Sequence, residues 1–494
     1  MRKMFMGVRL RALREQRQLT QVAMAKQLDI SASYLNQMEN NDRPLTIQVL
    51  LRLQSRLGVD AHFFSEDEDA RLLMQIRDVV ADIGMDVPTA EIQGIVQQMP
   101  VLAETLIRLH SRCRNAEERV INMTGMDDGR NPNTITGLLQ PHEEVRDYFY
   151  ARHNYIEQLD EKAEALHAQL LIVDQASKTA DNAQEKLRSD AIVSAAELVP
   201  LLTEYLRVNH DVRVQRKAIN KNENLIRRYD PVAKVLQLDS GINHGQQAFQ
   251  LAIQIANLDA NLIIQSLTDE ATFSNQSAHD LTMIGLASYF AGALILPYKR
   301  FLHTAESLGY DIELLAEYFG VSYETVCHRL STLHRPEARG VPFFFIRVDR
   351  AGNISKRQSA TDFHFSRTGG TCPLWSVYEA FAQPDRILTQ LAQMPDGRMY
   401  LWIARSISHR RGGYGTPARN FAIGLGCDLR HAERLVYAKG LNLNDPSAAT
   451  PIGVGCKVCD RVDCGQRAFP ALGRKLQVDQ HARTWQPYAI DRTE

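Results

Sequence analysis

Between residues 8 and 64 the apolar positions fall at helical spacing. Leu10, Leu13, Leu19, Val22, Ala23, Ala25, Leu28, Ile30, Tyr34, Leu35 and Met38 recur so that several short helices can share one small core. Thr20 and Ser31 are good N-caps, which predicts one helix running to Leu28 and a second to about Asn40. The connection Leu28-Asp29-Ile30-Ser31 is tight enough for a helix-turn-helix corner. From Glu66 to about Lys221 the pattern stays helical, with a polar break at Asp127-Asp128-Gly129-Arg130-Asn131-Pro132 that reads as a linker. After Leu225, Val232 to Leu238 alternates apolar and polar residues as a half-buried strand does, and a helix follows from about Gly245 to Leu258. Past Gly340 strand signals dominate, in Phe343 to Val348 and Met399 to Ala404, with a strand Phe421 to Gly426 leading into a helix over Leu429 to Lys439. The pattern predicts a mainly α chain with an α+β C-terminal half. Its expected parts are a helix-turn-helix domain (1–65), a helical linker or dimerisation region (66–130), a third domain (131–340) and a small α+β domain (341–494).

Composition changes this picture little. At 494 residues, 44% hydrophobic and 23% charged, the chain is ordinary globular protein of several domains. The apolar stretch Leu286 to Pro297 is too short to span a membrane, and the N-terminus lacks the apolar run of a signal peptide, so a cytoplasmic protein without a membrane segment is expected. Seven cysteines, an odd number, argue against a disulfide framework. The net charge of −1 excludes a general affinity for polyanions, so any nucleic-acid binding must be local. Charge is indeed asymmetric: Met1 to Lys26 holds seven Arg or Lys and a single acid, Glu15.

On a helix-turn-helix, the exposed N-terminal part of the second helix enters the major groove. That makes Ala32, Ser33, Asn36 and Gln37 the base-reading candidates, Asn and Gln being able to pair bidentately with adenine. Thr20, Gln21, Tyr34, Asn40 and Arg43 suit phosphate contacts, and Arg9, Arg11, Arg14 and Arg17 add charge. The run LTQVAMAKQLDISASYLNQMENNDRPLT closely resembles the Xre or Cro-repressor type of helix-turn-helix, which implies binding to a double-stranded DNA operator.

The helix over Gly245 to Leu258, with ASYFAGALILPYKRF and LLAEYFGVSYETVCHRLSTL, resembles the fold of zinc peptidases found in phage-repressor antagonists and radiation-response regulators. Their helix carries H-E-x-x-H, two zinc ligands and a general base. Here those positions read Ile253, Gln254 and Asn257, which cannot perform that chemistry, so no peptidase is expected. Nor is there a nucleophile and base signature for an acyltransferase. The segment Leu314 to Leu333 also reads as helix-turn-helix, but as packing within this fold rather than a second DNA reader.

The sharpest chemical signal is Cys456-x2-Cys459-x4-Cys464, three thiols able to fold round one soft metal centre. Cys372 and Cys427, both in Gly-rich settings, are candidates for a fourth ligand, and a [4Fe–4S] cluster or a zinc ion is compatible with the set. Upstream, tyrosines, an Arg and an Asn crowd one stretch, Tyr148, Arg152, Asn154 and Tyr155. They read as core aromatics beside a surface Arg or as groups that hold an anionic, nucleotide-like ligand.

Taken in order, SYLNQMENNDRPLT, PHEEVRDYFYARHNYIEQLD, RRYDPVAKVLQL, GVPFFFIRVDRAGNISKRQSA, GGTCPLWSVYE and CKVCDRVDCGQRAFPALGR resemble the short-chain fatty acyl-CoA regulators of bacteria, in their propionate-catabolism branch. The resemblance implies a homodimeric regulator that is not an enzyme, senses acyl-CoA and controls genes of the methylcitrate and glyoxylate cycles. It also implies an iron–sulfur cluster on the C-terminal cysteines. With it, Tyr148 to Tyr155 become ligand-binding candidates, with Arg227, Arg228 and Lys234 offering charge to the CoA phosphates. The competing expectation is a helix-turn-helix regulator with a structural zinc site, governed by another effector or by a protein partner.

Overall fold

The computed structural model describes residues 6–57, 66–110, 141–178, 193–218, 225–361, 371–459 and 461–471, apart from 18, 41, 84, 86, 362, 364–370, 411–413 and 417, together with 113, 363, 476, 478 and 481. The expected linker Asp127 to Pro132 lies outside the described residues, as do Gly369 and Gly370. The chain forms two compact units: Met1–Leu139 with His364–Pro373 and Gly453–Glu494, and Gln140–Phe363 with Leu374–Ile452.

In the first unit α1 (Gly7–Gln16), α2 (Gln21–Leu28), α3 (Ala32–Glu39) and α4 (Ile47–Leu57) close over a core of Leu10, Leu13, Met24, Leu28, Leu35, Met38, Val49 and Leu53. Both predicted caps are present. Thr20 Oγ1 accepts from the Ala23 amide and Ser31 Oγ from the Tyr34 amide, each at 3.1 Å, satisfying donors that a helix start leaves free. Asp29 ends α2 in the left-handed region, φ 54°, which turns the chain within two residues. From α4, Arg52 donates to the carbonyls of Leu28 and Asp29, and Arg56 to that of Gln27, so cations neutralise the C-terminal end of α2. Next come α5 (Glu66–Ile83), α6 (Thr89–Gln98) and α7 (residues 100–110), joined by a small core of Leu72, Ile76, Ile92, Val96 and Ala103.

The second unit begins with α8 (Pro141–Tyr150), α9 (Glu157–Lys178) and α10 (Ala195–His210). A three-stranded sheet follows, β1 (Arg213–Lys217), β2 (Arg227–Asp230) and β3 (Val235–Asp239), in the order β1-β3-β2. The predicted strand at Val232 starts three residues late for a local reason. Asp230 accepts from the amides of Val232 and Ala233, both at 2.9 Å, and Lys234 is left-handed, so these residues make the hairpin turn.

Helices α11 (His244–Asp259), α12 (Asn261–Asp269), α13 (Gln276–Ile295), α14 (Tyr298–Ser307), α15 (Ile312–Phe319) and α16 (Tyr323–Leu330) complete the helical layer. α13 is long and apolar enough to cross a membrane on length and composition alone, yet α8, α9, α11 and α12 pack on it. Its Leu286, Phe290 and Leu294 sit in the largest core, as a central helix that is apolar all round should. The second helix-turn-helix pattern is α15 and α16, with Gly320 left-handed at the corner. Glu324, in the first turn of α16, is held by Arg347 at 2.8 Å and Lys356 at 3.1 Å, so this helix is pinned against neighbouring strands.

Those strands belong to a six-stranded sheet of β4 (Phe344–Val348), β5 (Ile354–Ser359), β6 (Leu388–Gln393), β7 (Met399–His409), β8 (Arg419–Asp428) and β9 (Thr450–Pro451), with a short α17 (Ser376–Glu379) in the β5–β6 connection. The order is β5-β4-β8-β7-β6-β9, antiparallel except for β6 with β9. The predicted helix Leu429 to Lys439 is instead two 3-10 turns, Leu429–Arg434 and Val436–Ala438, because Leu435 between them is extended. On β8, Gly426 lies opposite Phe344, whose ring packs with Phe363, Tyr400 and Trp402. A β-carbon on Gly426 would fall 2.8 Å from Phe344 Cε1 and closer still to Cζ. Gly426→Ala is therefore expected to destabilise the second unit by about 1–3 kcal/mol through overpacking, read as a lower urea midpoint with an unchanged slope.

Candidate functional site

Helix α3, the expected reading helix, turns Leu35, Met38 and Glu39 into the protein and leaves Ser33, Asn36 and Asn40 exposed, with Ala32, Tyr34 and Gln37 half-buried. Residues 32, 33, 36, 37 and 40 thus line one outward stripe, as the 3.6-residue period requires. Thr20 spends its hydroxyl oxygen on the cap, while Arg43 lies over the Tyr34 ring at 5.6 Å, a cation–π contact at the edge of the stripe. Arg11 and Arg17 are exposed, Arg11 in an ion pair with Glu15 at 3.2 Å.

Arg14 has a different role from the one its charge predicted. It grips Glu39 in two hydrogen bonds of 2.7 and 3.1 Å and also reaches the Leu19 carbonyl. Glu39 is 4% exposed, so this is a buried ion pair tying α1 to α3 rather than a free phosphate ligand. Gln21 joins it, donating to Glu39 at 2.8 Å and to Asn36 at 3.1 Å. No sequence signal marks a pair 25 residues apart.

The second candidate group lies in the other unit, and its side chains are occupied. Tyr148 donates to the Leu267 carbonyl, and the Arg152 guanidinium stacks over the Tyr148 ring at 3.9 Å. Asn154, 1% exposed, is left-handed and donates to the Ser359 carbonyl, while Tyr155 accepts from Arg335. Burial raises the Tyr148 and Tyr155 hydroxyls, each opposed by its arginine neighbour. Arg227 stands on β2 and donates to Gln254 of α11 at 3.2 Å, with burial holding its guanidinium below the usual value. Arg228 follows it on β2, paired across to Gln237, whereas Lys234 sits in the hairpin turn and reaches Asp211 at 3.6 Å. Arg227 and Lys234 thus share none of these partners with Tyr148 and Tyr155.

Of the residues read as standing at the peptidase motif, Gln254 is 2% exposed, Ile253 is half-buried against the core and Asn257 is exposed. A neutral amide facing a guanidinium holds no proton to exchange at neutral pH.

The C-terminal cysteines form a buried cluster. Cys372, Cys456 and Cys459 are buried and Cys464 is part-exposed. Gly453 donates its amide to Cys372 Sγ at 3.4 Å, and a β-carbon on it would stand 2.6 Å from Cys459 Sγ, so a glycine is required where these two cysteines approach. Ala468 donates its amide to Cys456 Sγ at 3.1 Å. Arg467, 2% exposed, donates to the carbonyls of Cys456, Cys459 and Arg461, and its Nε has no partner. Burial raises the Cys459 thiol, with Arg467 opposing. Soft sulfur donors, amides aimed at sulfur and a buried cation as counter-charge fit a thiolate-bound metal centre. Among the described residues no three His, Cys, Asp or Glu converge on one point. Cys427 belongs to the other unit, fully buried on β8 opposite Leu401, where desolvation drives its thiol far up.

Three family profiles match parts of the chain in order. Residues 10–64 match a helix-turn-helix, 207–331 an IrrE N-terminal-like domain, and 332–488 the C-terminal domain of short-chain fatty acyl coenzyme A regulators. The chain is 47% identical to the HTH-type transcriptional regulator RamB of Mycobacterium tuberculosis over 99% of both chains. It is 46% identical to PrpR of the same organism, over 98% of this chain and 96% of that one. The Propionyl-CoA carboxylase regulator of Cereibacter sphaeroides is 39% identical over 99% of each. A solved Mycobacterium tuberculosis transcriptional regulator, 47% identical, superposes with a TM-score of 0.64 on 71% of this chain and 99% of its own.

Proposed function

Because this chain belongs to the short-chain fatty acyl coenzyme A regulator family and is a helix-turn-helix transcriptional regulator, we propose that a short-chain acyl-CoA of propionyl type is its effector. The observation that carries this reading is the continuity of one chain, a DNA-reading domain at one end and the acyl-CoA regulator domain at the other, aligned over nearly full length with regulators. In this reading the genes controlled are those of the methylcitrate and glyoxylate cycles, and the protein works in the cytoplasm. It acts as a homodimer, since a single helix-turn-helix reads few bases and half-sites come in pairs. Residues 66–130 join the two copies, and 131–340 take the effector. Arg227, with Arg228 and Lys234, offers charge to the CoA phosphates, while the Tyr148 to Tyr155 segment must exchange its internal contacts for ligand.

The effector acts only if it binds the DNA-competent and DNA-incompetent conformations with different affinity. Cys372, Cys456, Cys459 and Cys464 are the residues that hold an iron–sulfur cluster in this reading. Bound there, it supplies a one-electron redox couple and a covalent fastening for the segment. Arg467 balances the thiolate charge, and the Gly453 and Ala468 amides orient Cys372 and Cys456.

The test uses anaerobically purified full-length protein and duplexes it selects from a randomised pool. Propionyl-CoA is expected to shift duplex affinity by about tenfold, with acetyl-CoA and free CoA acting less. Iron and sulfide in stoichiometric amounts are expected in the same preparation. Equal affinity with every CoA species sinks the effector assignment, and stoichiometric zinc without sulfide sinks the cluster while leaving DNA binding untouched.

A further inference from the structure

Asn36 is the residue of the exposed stripe whose amide orientation is dictated from inside the protein. Arg14 can only donate, and so fixes both oxygens of Glu39 as acceptors. Glu39 in turn requires the amide nitrogen, not the oxygen, of Gln21. That nitrogen has one hydrogen left, and it points to Asn36 at 3.1 Å, which must therefore present Oδ1. Asn40 donates to the same oxygen at 3.3 Å. An amide oxygen has two lone pairs, and both are taken. The ambiguity that usually attends an asparagine amide is removed here, because a cation three groups away sets each link through Glu39 and Gln21.

What Asn36 shows to solvent is thus an amino group with two donors and no free acceptor. An asparagine that reads adenine needs both, the oxygen for N6–H and the nitrogen for N7. Guanine presents only acceptors, N7 and O6, on its major-groove edge. We propose that Asn36 is a donor-only reader that selects guanine over adenine at one position of each half-site. This rests on the reading of α3 as the recognition helix. The adenine pairing that the sequence permits then falls to Gln37, whose side chain is on the same stripe and outside this network. Gln21 is a positioning residue: it touches no base in this scheme and sets which base Asn36 accepts.

The experiment is selection from a pool of duplexes randomised over both half-sites, with the full-length chain, followed by sequencing. Wild type is expected to enrich guanine at a position where Asn36→Ala alone flattens the preference by about tenfold. Asn36→Asp, which offers only acceptors, should move that position to cytosine or adenine, whose amino groups donate. Gln21→Ala frees one lone pair of Oδ1 and should admit adenine there. Circular dichroism on each variant establishes that the helices are intact. The proposal is overturned by adenine or thymine at the position that Asn36→Ala flattens, by no position flattening, or by a guanine preference indifferent to Gln21→Ala. A pool with no retained duplex in wild type would instead overturn DNA binding by α3.

Discussion

Asp160→Ala is expected to lower the unfolding free energy of the second unit by about 3–5 kcal/mol. Asp160 is fully buried on α9 and receives two hydrogen bonds from Arg329 of α16, at 2.8 and 3.0 Å, and one from Tyr289 of α13 at 2.6 Å. Arg329 also donates to the Leu296 carbonyl and to Thr332, so each nitrogen of the guanidinium has a partner. Removing the carboxylate strands a cation that is 2% exposed, and the penalty is the desolvation of that charge. The opposite sign is expected of a double replacement. Asp160→Leu with Arg329→Met leaves no buried charge, and should be more stable than Asp160→Ala alone. Urea unfolding followed by tryptophan fluorescence decides, since Trp375 and Trp402 are buried in this unit. Equal midpoints for the single and double variants would mean that the ion pair is not what holds these three helices.

The second large effect is a pH dependence centred on His167. This residue of α9 is 4% exposed, and its Nδ1 lies 2.8 Å from the Leu294 carbonyl, which can only accept, so Nδ1 carries the proton of the neutral ring. Nε2 is buried without a hydrogen-bond partner. Burial pushes the imidazole pKa down to about 4, with the Leu294 carbonyl opposing and Arg300 assisting. The unfolded chain takes up its proton near 6.5, so between 6.5 and 4 the unfolded state binds more protons than the folded one. Stability from this group is therefore complete above pH 6.5 and lost as pH falls towards 4, by about 3 kcal/mol. His167→Gln should be the less stable protein at pH 7.5, and its deficit should narrow by about that amount at pH 4. Parallel stability curves for the two proteins would refute the assignment.

How much of this was legible in the sequence follows the range of the interactions. Thr20 and Ser31 declared the helix starts because a cap bonds three residues away, and the corner between them was readable for the same reason. The role of Arg14 was hidden, since its partner Glu39 is set by the packing of α1 on α3 and not by neighbouring residues. Cys372 could be named as a candidate from its composition, but only the fold brings it to Gly453, 81 residues along. The start of β3 failed because an Asp side chain competing for two amides outweighed the apolar alternation around it. The helix at Leu429 failed because one extended residue, Leu435, interrupts a stretch whose periodicity alone favoured continuity.

The Arg227–Gln254 contact means that peptidase chemistry would not follow from supplying the motif alone. Restoring H-E-x-x-H by Ile253→His, Gln254→Glu and Asn257→His would set a carboxylate where the amide now lies 3.2 Å from a guanidinium. That carboxylate would be neutralised by an ion pair and made a weaker base than proton abstraction needs. Three reversions would recover the letters of the motif without its reactivity, and Arg227 would have to leave first. Arg227 on the neighbouring strand, and not only the three missing letters of the motif, therefore stands between this domain and hydrolase chemistry.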